Sequence, residues 1–209
     1  WPAFGGMPNR EDSMAPTLGT IRPISADSHI IEPPNCFSDY IEPAFRERAP
    51  HLLEDPKSGG EHYIVEGFPI PIRLNQLAAA GKNPQDIRDE GDRFSGLHRS
   101  SWDSKCRVAD QDRDGVAGEL IYPTIGMLIC NVDDHDYKNA CMHAYNRWLQ
   151  EYVAEAPERL YGLGQTAVRS VPEAIADGQR IKEMGFKGVM MPGVPATPHE
   201  RMRNSLTTH

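Results

Sequence analysis

The chain has 209 residues, 39% hydrophobic and 25% charged, with a formal net charge of −8, which suits one good core in a soluble globular domain. Binding a phosphate backbone requires clustered Lys and Arg; the sequence has no such stripe, so nucleic acid is excluded as an expected partner. No apolar run approaches the roughly 20 residues that span a bilayer. With no charged-then-apolar signal layout at the N-terminus either, a cytoplasmic location away from membranes is the expectation.

Residues 1–20 are rich in Gly, Pro and polar side chains without periodicity, and read as a mobile leader. The sequence starts at Trp1 rather than Met, and the stretch 199–209 is polar and patternless. Together the two ends read as those of a fragment or a processed product. Between them, 21–198 is expected to form one α/β domain. Its first element is a short buried strand over Ile21–Ile31, which stops at Pro33-Pro34 because proline cannot continue a ladder. The following stretch, about 35–101, is full of Pro, Gly and charge and reads as an insertion covering something. Within it Glu61–Arg73 alternates around Glu66-Gly67, the pattern of a β-hairpin.

From residue 101 the pattern is regular. A helix over Trp102–Asp114 closes at Gly115 and a strand Glu119–Pro123 follows. Asp136–Ala156 is the clearest helix. Ala140, Cys141, Ala144, Tyr145, Trp148, Leu149, Tyr152 and Val153 recur there at three- and four-residue steps. A strand at Leu160–Val168 leads into Ser170-Val171-Pro172-Glu173, a capping box. The helix it opens runs to Met184 and stops at Gly185, before a last strand over Lys187–Met191. Strands alternating with helices over short links indicate parallel βαβ units.

Three clusters could carry chemistry. Asp27-Ser28-His29 places a carboxylate and an imidazole on one side of a strand, where they can offer O and N to one divalent ion. A buried histidine bonded to a neighbouring acid gives the same spacing. Glu32 falls after the strand and is assigned an outer-shell or substrate-contacting role. Asp110-Gln111-Asp112-Arg113-Asp114-Gly115 looks like the start of a calcium loop, but its twelfth position is Ile121, so calcium is rejected there. Arg107 and Arg113 are expected to stabilise these acids. Asp133-Asp134-His135-Asp136 reads as helix capping rather than a site, and nothing makes His143 a ligand. Cys36, Cys106, Cys130 and Cys141 form no paired motif and read as reduced structural thiols. Nucleophile elbow, P-loop and dinucleotide fingerprints are missing.

Several stretches, in order, resemble the amidohydrolase-related (amidohydrolase 2) proteins, which include aminocarboxymuconate-semialdehyde decarboxylase and related metal-dependent enzymes. They are Ile24–Pro33, Asp110–Val116, Leu120–Thr124, Ala144–Leu149, Pro157–Leu160 and Gly185–Pro192, so the resemblance spans about 21–198, most of the chain. It implies the N-terminal half of a (β/α)8 TIM barrel with a divalent metal, Zn, Mn or Mg, at the C-terminal mouth. Asp27 and His29 would be the metal ligands from the first strand. The family commonly has His where Asp27 stands, and an acid there favours a harder ion such as Mn or Mg. The family's remaining ligands, a His and an Asp from later strands, would fall beyond residue 209. The implied chemistry is hydrolysis of a C–N or C–O bond, or nonoxidative decarboxylation of a small carboxylic acid. Two readings stay open: an enzyme acting on a small-molecule substrate, or an incompetent half-barrel that forms homo-oligomers through its open sheet edge.

Overall fold

Residues 22–193, apart from 78 and 89, are described by a computed structural model; the proposed leader and tail lie outside the described residues. The strands in chain order are β1 (Ile24–His29), β2 (His51–Glu54), β3 (Glu61–Ile64), β4 (Ile72–Arg73), β5 (Gly118–Tyr122), β6 (Leu160–Gln165) and β7 (Gly188–Met190). The helices are α1 (Asn35–Ser38), α2 (Ser104–Asp114), α3 (Ile125–Ile129), α4 (His135–Ala154) and α5 (Val171–Glu183). The main sheet has the order β1-β5-β6-β7, and every pairing is parallel. Each strand joins beside the one before it in the sheet, through a crossover containing at least one helix, as parallel pairing requires.

The helix boundaries follow from local chemistry. Asp103 caps α2 by accepting from the Cys106 amide (3.0 Å), and Gly115 ends it with φ +73°, a conformation that costs a side-chain-bearing residue 1–2 kcal/mol. Asp134 caps α4 through the Tyr137 amide at 3.0 Å, so the acidic cluster 133–136 does serve the helix start. Ser170 caps α5 through the Glu173 amide, while the Glu173 carboxylate is held mainly by Arg169. All eight predicted apolar positions of α4 are buried. This helix covers β6 closely, and Asn146 exchanges two hydrogen bonds with the Gln165 backbone, at 2.9 and 2.7 Å. Helix α5 comes equally near: a Cβ at Gly164 would stand 2.8 Å from Ile181 and 2.9 Å from Phe186. The glycines of β6 therefore serve packing, not a nucleotide.

The insertion departs from the expected irregular cover. The hairpin is present as β3 and β4, with Tyr63 opposite Ile72, but β2 also pairs antiparallel with β3, making a three-stranded sheet. Its buried residues Tyr63, Val65, Ile72 and Leu74 belong to the same hydrophobic cluster as Ile121 and Leu149. That shared burial fixes the insertion against the barrel strands. No helix among the described residues is long and apolar enough to cross a membrane.

Candidate metal centre

The end of β1 is shaped by an irregularity in its pairing. Ser25 lies opposite Glu119 and Ser28 opposite Ile121, so β1 carries one residue more than β5 between these points. Such a bulge re-aims side chains. Here it turns Ser25 and Ser28 to one side, where their hydroxyls meet at 2.7 Å and Ser28 donates to Glu119 at 3.0 Å. Asp27 and His29 emerge together, with Asp27 Oδ1 3.4 Å from His29 Nε2.

The orientation of His29 is set by its other nitrogen. Nδ1 lies 2.8 Å from the Pro123 carbonyl oxygen, and a carbonyl can only accept, so Nδ1 carries the proton. In the neutral ring Nε2 then presents its lone pair on the side of Asp27. This is the support a metal-binding imidazole needs. Tyr122 stacks on the ring at 5.6 Å between centroids. Arg107 holds the strand end by donating to the His29 carbonyl at 2.9 Å. The expected help of Arg107 to the 110–114 acids is corrected: it pairs with Glu119 at 2.6 Å. Burial pushes the Glu119 carboxyl up, but Arg107, Gln111 and Ser28 together bring it below its ordinary value. Arg113 does serve Asp110 and Asp114, and His98, Arg22 and Arg159 complete the pairing of Asp110 and Asp112.

Glu32 is fully buried. Its Oε1 accepts from the Thr124 and Gly126 amides at 3.1 and 2.9 Å, and Oε2 from the Ile125 amide at 2.9 Å. Its lone pairs are spent on the start of α3, so its link to His29 runs through the backbone that follows Pro123. Burial raises its pKa against the pull of these amides. His143, unassigned in the sequence, bonds at 3.0 Å to Asp177, which is buried. The Pro123 carbonyl and Arg107 were not identifiable as partners of His29 in the sequence, because a backbone oxygen and a helix 78 residues away carry no local signal.

Among the described residues no group of three or more His, Cys, Asp or Glu could hold a metal ion. What is present is one imidazole and one carboxylate side by side. That donor set fits a divalent ion needing further ligands from elsewhere.

No family model matches the sequence, and no curated protein does. Solved structures do share the fold. An amidohydrolase from Mycobacterium avium subsp. paratuberculosis superposes with a TM-score of 0.60 at 18% identity, over 82% of this chain and 50% of that one. The 5-carboxyvanillate decarboxylase of Novosphingobium aromaticivorans, solved with manganese and 3-methoxy-4-hydroxy-5-nitrobenzoic acid, gives a TM-score of 0.50 at 16% identity, over 84% and 43%. The chain therefore spans about half the length of the structures it matches, and its α/β architecture, with a parallel sheet, is that of part of a TIM barrel.

Proposed function

We propose that this chain carries the first-strand half of a metal site, with Asp27 and His29 as ligands, for an amidohydrolase-type hydrolase or decarboxylase. The observation that carries this reading is the fixed imidazole: Pro123 takes Nδ1–H and leaves Nε2 beside Asp27. A divalent ion, Mn, Mg or Zn, would supply Lewis-acid activation of a substrate oxygen or of water. The chain's own residues orient the imidazole, hold the strand end through Arg107, and anchor α3 through Glu32. The remaining ligands and the proton-transfer group would come from elements outside this chain. A small-molecule substrate and a cytoplasmic setting belong to the same proposal.

Two ligands bind weakly, so wild-type protein should take up Mn or Zn saturably but loosely in equilibrium dialysis. Asp27→Ala and His29→Ala should each reduce affinity by roughly tenfold or more, since even outer partners of a ligand are worth 10–100-fold. Uptake that both variants leave unchanged would sink the reading.

One observation favours a second reading, a half-barrel that self-associates without catalysis. Strands β1 and β7 are the outer members of the parallel sheet, and Ile24, Val189 and Met191 beside them are exposed. Unpaired edges with apolar neighbours invite association. Sedimentation velocity should show a concentration-dependent dimer that Val189→Lys dissociates; a monomer at all concentrations counts against this reading.

A further inference from the structure

His29 borders two cavities of different character. One, of about 520 Å³, runs along Arg107, Asp110, Arg113 and Glu119. Its arginines are already matched, Arg107 with Glu119 and Arg113 with Asp110, and the His98 ring lies 2.6 Å from Asp110. The other, of about 400 Å³, is lined by His29, Gln76, Leu77, Thr124, Met127 and Leu128. None of these is Lys, Arg, Asp or Glu. A charged group moved into such a space loses hydration without a counter-charge, which is costly.

Both walls of this second cavity are built rather than loose. Leu77 donates its amide to the Leu74 carbonyl at 2.9 Å, and Leu74 is fully buried. Asn75 donates to the Arg88 carbonyl at 3.0 Å and accepts from the Asp92 amide at 3.2 Å. The turn carrying Gln76 and Leu77 is thereby fixed within the insertion. Opposite it, α3 is held by Glu32 and by the fully buried Ile125 and Ile129. Met127, by contrast, is 40% exposed, a pliable thioether side chain that adapts to what it touches. The Thr124 hydroxyl donates to the Ile30 carbonyl at 2.5 Å, which leaves its oxygen as an acceptor only, beside the Gln76 amide and His29, to orient a ligand.

We propose that Gln76 and Leu77 of the insertion, with Met127 and Leu128 of α3, form a specificity slot for the uncharged ring or hydrocarbon part of the substrate, whose reacting polar group then faces His29. The slot rests on the reading of His29 as part of the reaction site, and deepens it by assigning the insertion a selective role. A few convergent polar groups on an apolar cavity of this size are what small-molecule sites are made of.

The test is NMR of the full chain with labelled methionine methyls, titrated with phenol and with benzoate in the absence of metal. The Met127 methyl signal should shift saturably with phenol, and benzoate should bind at least about fivefold more weakly, because its charge finds no partner. Leu77→Asp should weaken phenol binding by roughly tenfold, with the signal of buried Met142 unmoved as the check on folding. Asp27→Ala should leave phenol binding intact while weakening metal uptake, so failure of the slot and failure of the metal reading are told apart. No saturable shift, equal binding of benzoate, or an unaffected Leu77→Asp variant would overturn the slot.

Discussion

Replacing Glu32 by alanine is expected to lower stability by about 3–5 kcal/mol. The substitution strands three amides, those of Thr124, Ile125 and Gly126, that now donate to one buried carboxylate. A buried N–H without an acceptor costs about 1–3 kcal/mol, and α3 has no side-chain cap of its own to take over. Glu32→Gln is the informative companion. Its carbonyl can still serve Thr124 and Gly126, but its NH2 would face the Ile125 amide, donor against donor, so a loss of about 2 kcal/mol is expected. Urea unfolding with unchanged m-values checks both. A Glu32→Ala protein as stable as wild type would show that water reaches these amides. Because the same backbone carries Pro123, Glu32→Ala should also weaken metal uptake beyond its effect on folding.

Asp177 should make the fold acid-sensitive. The residue is buried between α4 and α5 and accepts from His143 at 3.0 Å, from Thr166 at 2.7 Å, and from Arg180. Burial alone would raise its pKa; the bonds from His143, Arg180 and Thr166 outweigh this and hold it well below the usual carboxylate range. The sign follows from proton counting. The unfolded carboxyl titrates near ~3.9 and the folded one lower, so the unfolded state binds more protons in between. The stabilisation from Asp177 is complete above that unfolded value and drains away as pH falls through it towards the folded one. At neutral pH Asp177→Asn should therefore cost roughly 2–4 kcal/mol, below the roughly 3–5 kcal/mol of breaking a fully buried pair because Arg180 is exposed. The gap to wild type should narrow steadily from about pH 5 to about pH 2. Melting curves of the two proteins that stay parallel over that range would rule this out.

The repeating part of the fold was legible because its signals are local. Helix α4 declares itself through eight apolar positions at helical spacing, α2 through Gly115 at its end, and α5 through Ser170 at one end and Gly185 at the other, whereas the cap at Asp103 shows only in the structure. Asp27 and His29 were legible as a pair for the same reason: strand alternation is a property of neighbouring residues. What was not legible depends on distant partners. Helix α3 is five residues long, too short for any periodicity, and its start is held by a glutamate more than ninety residues earlier. Strand β2 lacks a distinctive alternation and exists because β3 offers it an edge. Glu32 drew notice beside Asp27 and His29 as an acid near a site, whereas its oxygens are committed to α3. His143 and Asp177 belong to different helices, so neither could suggest the other. The bulge between Ser25 and Ser28 likewise requires β5 to be seen.

The order of strands in the main sheet has a kinetic side. Residues 166–187 link β6 to β7 and residues 123–159 link β5 to β6, whereas residues 30–117 separate β1 from β5. Closing the longest of these costs the most entropy, about 0.6 kcal/mol more for each doubling of length, and the insertion makes it more than twice the next. The crossovers among β5, β6 and β7 can thus close early, while β1 docks across the widest gap. The carboxylate and imidazole it brings are consequently set in place by the slowest contact to form, after the surface that receives them already exists.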